Sequence, residues 1–401
     1  MMLFKRRKRA LLIGLALVAV ILAGVGIWFY FFYFASTGAI TRHAENFRFR
    51  RMTVAQLAEQ SNYRFFFATN RRMAEDQRPL EGQFGTEREA ALKFGHFDTR
   101  IQPTLGLGML IDPTEWFQNE EIHLKHVALL EQTAFVEQVR KAVEESPLRS
   151  LLVVVHGFRE RFPSALRKTA FLSHVLDINT PVLVFDWPGN QGSSLGGYRR
   201  ARQVAEASGE DLARTLELII SDIRPERLWL VANSMGGQVV VDAFGLLHQN
   251  ADLADAETEI EDVVLTAPDV DHADFNAQFK QQIESLARDL TVYVSSNDRA
   301  LLISRVINRG KRLGESTLSP DMLAEAERVA ELIEPGSEHL TLVDVTPVNR
   351  TRNFHNFSLE TPEFYDDLFL RLTNAKTPRS RLIYGIHTPE GEVYWVLTRG
   401  R

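Results

Sequence analysis

Six short apolar runs dominate the chain after Ser150, at residues 151–155, 181–185, 228–232, 263–266, 290–294 and 340–345. Each is too short for a helix and rich in Val and Leu, which predicts a strand buried on both faces. Helical patterning fills the intervals: Leu166, Ala170, Phe171 and Val175 mark one helix face, and Leu212, Leu216, Ile219 and Ile220 mark another. Strands that alternate with helices in this way need crossover connections. The class is therefore α/β, with a mostly parallel central sheet and helices on both faces.

The flanks are less regular. Residues 63–69 form an aromatic-rich strand candidate, and residues 95–103 supply another. Between Glu121 and Glu145, the apolar positions Val127, Leu130, Phe135, Val139 and Val143 recur at helical spacing and predict one amphipathic helix. Thr361-Pro362-Glu363 is a helix start, with a Thr N-cap, Pro in the first turn and an acid near the positive dipole end; the helix is expected to reach about Thr373. Residues 382–386 and 393–397 flank Pro389-Glu390-Gly391 and predict a terminal hairpin. No repeat or low-complexity linker divides the body of this 401-residue chain.

Composition excludes several functions. A net charge of -6 lacks the basic footprint of a nucleic-acid binder. The pairs Arg71-Arg72 and Arg199-Arg200 read as solvated surface. With no Cys, disulfides, thiolate metal sites and a Cys nucleophile are ruled out. The first forty residues stand apart. A basic cluster, Lys5 to Arg9, precedes an uncharged run over residues 10–35. As a helix, that run would reach about 39 Å, against a hydrocarbon layer of about 30 Å. It ends in the aromatic band Trp28-Phe29-Tyr30-Phe31-Phe32-Tyr33-Phe34, suited to a membrane interface. The run exceeds the usual signal-peptide length and no Ala-x-Ala site follows, so an uncleaved transmembrane anchor is expected, with its basic end in the cytoplasm. The expected organisation is a basic cytoplasmic end at 1–9, a span at 10–35, a linker at 36–61, a catalytic domain at 62–375 and a hairpin extension at 376–401.

The chemistry is carried by Asn233-Ser234-Met235-Gly236-Gly237, which lies between the strand at 228–232 and a helix marked by Val239, Val240, Val241, Phe244, Leu246 and Leu247. Strand, sharp turn and buried helix in this order are the setting of a nucleophile elbow in an α/β-hydrolase fold. So tight a turn needs small residues two before and two after the nucleophile. Ala232 and Gly236 meet that need, with Ala232 replacing the usual Gly. A serine hydroxyl also needs a base and an acid that orients the base, and in this fold they follow in the order Ser, acid, His. Asp298, just past the strand at 290–294, is the expected acid; Asp269, past the preceding strand, is the alternative acid. Among His339, His355 and His387, only His355 falls on the loop after the last central strand, so it is the expected base. The backbone N–H groups of Met235 and Phe158 are the expected oxyanion donors, with Gly157 letting the backbone approach closely. His156 reads as structural.

With these segments in view, the chain resembles a bacterial α/β-hydrolase family of unknown function. The resemblance rests on Phe67-Ala68-Thr69-Asn70-Arg71, Val155-His156-Gly157-Phe158, Phe185-Asp186-Trp187-Pro188, Asn233-Ser234-Met235-Gly236, Ala267-Pro268-Asp269-Val270-Asp271 and Ser296-Asn297-Asp298-Arg299-Ala300-Leu301. It covers roughly residues 62–375. It implies that residues 63–70 supply an early strand of the same sheet, and it supports Ser234, Asp298 and His355 as the triad. Asn233 is a departure, since relatives often carry His there. A bacterial source implies a single-pass inner-membrane protein with its catalytic domain in the periplasm.

Other clusters carry less. Asp269, Asp271, His272 and Asp274 read as pocket or structural residues, and Glu121, His123 and His126 lack a further ligand for a metal. Residues 189–197 are glycine-rich but lack the Lys-Ser/Thr ending of a phosphate loop and read as a rim over the site. No cofactor is expected. The expected activity is hydrolysis of a small-molecule or lipid-like carboxylic ester through an acyl-enzyme on Ser234. Acyl transfer by the same triad and non-catalytic binding at the membrane are the alternatives, and oligomeric state is left open.

Overall fold

The computed structural model describes residue 14 and residues 16–26, 62–74, 76–101, 122–250, 260–271, 275, 279, 282–283, 285–295, 340–349, 357–373, 383–387 and 393–398. Among them, strands β1 (Asn62–Met73), β2 (Phe84–Ile101), β3 (Ile122–Leu130), β4 (Ser150–Val155), β5 (Val182–Asp186), β6 (Arg227–Asn233), β7 (Ile260–Thr266), β8 (Ala287–Val294), β9 (Leu340–Asp344), β10 (Ile383–His387) and β11 (Val393–Leu397) form one sheet. Its order is β10-β11-β9-β8-β7-β6-β4-β5-β1-β2-β3. From β11 across to β1 every pairing is parallel, and the antiparallel pairings lie at the two edges. The terminal hairpin is thus a continuation of the sheet, joined through β11 to β9, and the early strand β1 joins beside β5.

The central strands are buried along their whole length in β4, β5 and β7, because helices cover both faces. These are α1 (Gln132–Glu145), α2 (Phe162–Leu176), α3 (Leu195–Leu218), α4 (Gly236–Leu247), α5 (Phe357–Glu360) and α6 (Pro362–Thr373). Strand alternation sends Leu151, Val153 and Val155 to a core shared with Phe135, Leu212 and Phe244. Leu152 and Val154 point the other way, into a core with Phe162, Phe171, Phe364 and Leu368. Residues expected to be one helix from Glu121 to Glu145 divide instead: residues 122–130 pair antiparallel with β2, and the helix begins only at Gln132. Val127 and Leu130 have helical spacing but pack against opposite faces of the sheet, and pairing with the edge of β2 overrides that spacing.

Residues 14 and 16–26 are helical, with Leu17, Val18, Val20, Ile21, Leu22 and Val25 all more than half exposed. Among the described residues no helix is long and apolar enough to cross a membrane; the remainder of the expected span at 10–35 lies outside them.

Candidate active site

β4, β6 and β7 end side by side, with Val155 paired to Ala232 and Asn233 to Thr266. The chain turns at that edge. Ser234 sits there with φ +51°, in the left-handed region that a non-glycine residue enters at a cost of about 1–3 kcal/mol. Three backbone bonds hold it: Ser234 N–H donates to Thr266 O at 2.9 Å, while Gly237 N–H and Asp269 N–H donate to Ser234 O at 2.9 and 3.1 Å. The turn presses on the neighbouring strand end. A Cβ on Gly236 would lie 2.6 Å from His156 O and 2.8 Å from Val155 O, so no larger residue fits. Ala232 is fully buried. The strand, sharp turn and helix read from the sequence are therefore present, and Ser234 is largely buried at the apex of the turn.

The loop after β4 packs directly on this apex. A Cβ on Gly157 would meet the Ser234 Cβ and Asn233 O at 3.1 Å each. Phe158 follows, with its ring edge-on to Tyr198 at 5.6 Å, and Met235 is buried at the start of α4.

A buried ionic lattice fixes this loop from beneath. His156 Nε2 lies 3.1 Å from Asp186 Oδ1, and its Nδ1 lies 2.9 Å from Gly157 O. Asp186 takes Arg71 Nε and Nη2 at 2.7 and 3.0 Å and the Thr69 hydroxyl at 2.6 Å. Arg71 Nη2 also donates to Glu160 O and Trp187 O, Trp187 Nε1 donates to His156 O at 2.8 Å, and the Trp187 and His156 rings stack. Burial alone would raise the Asp186 carboxyl; the Arg71 charge and the bond with His156 outweigh it and hold its pKa below the usual carboxylate range. Arg71, read from its pairing with Arg72 as solvated surface, is only 1% exposed and is the centre of this lattice; Arg72 alone is on the surface. The missed signal was the acid at the end of a wholly buried strand, Val182–Asp186, which requires a buried partner.

Asp269, at the end of β7, is buried and accepts the Tyr198 hydroxyl at 2.6 Å. Arg202 is close by. Burial works against its guanidinium charge, but Asp269, Tyr198 and Glu206 outweigh that and raise its pKa. Nothing in the sequence marked Tyr198, one helix residue among many. Asp298 and His355 lie outside the described residues, as do His272 and Asp274, so only their flanks are seen. Ser295, three residues before Asp298, accepts Asn349 Nδ2 at 2.8 Å, and Asn349 lies on the segment between β9 and His355. Ser358, three residues after His355, accepts Asn233 Nδ2 at 2.7 Å.

The family model for alpha/beta hydrolases of unknown function (DUF900) matches residues 131–371. The chain belongs to that family. As a member of it, the chain keeps the elbow, the His-Gly-Phe loop and the flanks of Asp298 and His355 within the matched region, while the lattice residues Thr69 and Arg71 come from the strand before it. No curated protein matches the chain. Three solved structures are similar to parts of it, each at 13% identity and a TM-score of 0.30. They are the ydeN gene product of B. subtilis, over 55% of this chain and 96% of that one; the Pyrococcus furiosus esterase Pf2001, over 55% and 80%; and YbtT, a type II thioesterase from the yersiniabactin biosynthetic pathway, over 56% and 92%. Likeness of that degree says nothing about activity or substrate.

Proposed function

We propose that this α/β hydrolase is a membrane-anchored serine hydrolase that cleaves carboxylic esters. Ser234 Oγ attacks the ester carbonyl, His355 takes the hydroxyl proton and passes it to the leaving alcohol, and Asp298 orients the His355 ring. The oxyanion is received by the N–H groups of Met235 and Phe158. Water then attacks the acyl-enzyme, with His355 again as base, and releases the acid. The observation that carries this reading is the left-handed Ser234 at the apex of a turn between β6 and α4. A strained non-glycine residue held by three backbone bonds at the strand ends suits a nucleophile elbow, and a helix cap does not require it.

The choice of Asp298 over Asp269 draws support from two contacts. Asp269 already accepts the Tyr198 hydroxyl, whereas the Asn349 to Ser295 bond ties the segment leading to Asp298 to the segment leading to His355. For the membrane anchor, the support is the basic cluster, the apolar run over residues 10–35 and the exposed apolar side chains of residues 16–26; the basic end then faces the cytoplasm and the hydrolase domain the periplasm.

The test is turnover of a panel of esters graded by acyl length. Ser234→Ala and His355→Ala are expected to lose on the order of a million-fold in kcat, and Asp298→Asn is expected to lose more than Asp269→Asn. Undiminished turnover in Ser234→Ala refutes the acyl-enzyme. A larger loss in Asp269→Asn transfers the acid role to that residue.

A further inference from the structure

Asn233 precedes Ser234, and its side chain joins the end of β7 to α5. Its amide Nδ2 has two protons and two acceptors: Thr266 Oγ1 at 3.1 Å, at the end of β7, and Ser358 Oγ at 2.7 Å, in α5. Thr266 is itself engaged with Ala232 O, which anchors that end of the bond to the elbow strand. The other side of the amide borders the oxyanion loop, since a Cβ on Gly157 would lie 3.2 Å from Asn233 Oδ1. α5 opens at Phe357, two residues after His355, and Phe357 is fully buried against Phe364.

From this arrangement we infer that Asn233 is a positioning residue for the proposed base, tying α5, which opens two residues after His355, to the elbow strand. The inference rests on the triad reading given above. Geometry makes the amide suited to the task. A planar group with two donors on one nitrogen bridges two hydroxyl oxygens on different elements, and both of those hydroxyls are nearly buried, where a hydrogen bond resists exchange with water. Alanine removes both donors and leaves Thr266 and Ser358 without that acceptor role. Aspartate keeps the shape but replaces the two N–H donors with an acceptor, facing a Thr266 hydroxyl whose proton goes to Ala232 O, and it brings a negative charge to the neighbourhood of the proposed base.

The test uses the full chain and a fluorophosphonate probe, with the second-order labelling rate measured against pH. Asn233→Ala and Ser358→Ala are each expected to slow labelling by about 10- to 100-fold, the scale of a small misplacement of a catalytic group. The double variant is expected to lose no more than Asn233→Ala alone, because Ser358→Ala breaks a bond that Asn233→Ala has already removed. Asn233→Asp is expected to move the base limb of the pH profile upward by about one unit. Independently of activity, hydrogen exchange of the amides in residues 357–360 is expected to quicken in Asn233→Ala. Two failures are distinguishable. Wild type that is unlabelled refutes the triad reading and this assignment with it. Wild type labelled at Ser234, with Asn233→Ala and Ser358→Ala at the wild-type rate, or with losses that add and a pH limb unmoved in Asn233→Asp, overturns the positioning role alone.

Discussion

Two of the buried ionic clusters among the described residues, around Asp186 and around Asp367, are built differently. Around Asp186, a carboxylate receives a bidentate guanidinium and a hydroxyl and touches an imidazole. Around Asp367, on α6, the carboxylate accepts the Tyr293 hydroxyl at 2.6 Å, but the nearest Arg371 nitrogen is 3.8 Å away. Among the described residues Arg371 Nε and Nη2 and Asp367 Oδ1 make no hydrogen bond. Asp262 adds to the second cluster's difficulty. It lies opposite Asp289 in the β7/β8 register, and burial, reinforced by the Asp289 charge, raises its pKa from 3.8 to about 7. The first cluster has its charges matched within hydrogen-bonding distance and adjoins the loop after β4 through His156. The second has its charges near one another without the bonds that make burial favourable. The well-satisfied lattice thus lies against the loop that packs on Ser234, the backbone proposed above to receive the oxyanion.

Arg71→Met is expected to expose this difference most strongly. It takes the guanidinium from a buried carboxylate, at a cost of about 3–5 kcal/mol, read as a lowered midpoint in denaturant. The double replacement Arg371→Met with Asp367→Asn is expected to be near neutral or stabilising and to leave ester turnover unchanged. If the two substitutions cost the same, the clusters are not different in kind.

Asp262 gives the next effect, with a definite sign. Its folded pKa lies above its unfolded one, so the folded state holds the extra proton between pH 3.8 and about 7. Stability should therefore fall as pH rises through that window. Asp262→Asn is expected to remove the fall, and with it up to about 4 kcal/mol of penalty at pH 8. A pH-stability curve unchanged in Asp262→Asn contradicts the assignment.

His174 refines the contrast from the other direction, as a titratable group with burial and nothing else. It lies in α2 with neither ring nitrogen hydrogen-bonded among the described residues, and burial lowers its pKa from 6.5 to about 4. The unfolded state then binds the extra proton, so stability should be lost as pH falls from about 6.5 to 4, by up to about 3 kcal/mol. His174→Phe is expected to abolish that loss. The two windows oppose one another, and each variant should expose the slope that the other group masks.

Legibility in the sequence followed what each signal depends on. The elbow was readable because a strand, a Ser between small residues and an apolar helix are contiguous, and Gly236 and Ala232 carry the steric requirement locally. The edges were legible in part: the hairpin of β10 and β11 was expected, but its docking on β9 and the pairing of β3 with β2 depend on residues apart in the chain, and Val127 and Leu130, three apart, carry a helical spacing. Arg71 was misread for the same reason: its partner Asp186 is 115 residues away, and a dipeptide of arginines looks solvated until that partner is placed. Tyr198 and the bridging role of Asn233 depend wholly on tertiary contact. Asp298 and His355 rest on chain order and on the contacts of their neighbours Ser295 and Ser358.

Every step of the proposed chemistry depends on a nucleophilic Ser234, and mass spectrometry after treatment with a fluorophosphonate reads that nucleophile without an assumed substrate. A single covalent adduct is expected on the peptide containing Ser234, absent in Ser234→Ala and strongly slowed in His355→Ala. Folded wild-type protein that takes no adduct, or that is labelled at another residue, contradicts the assignment.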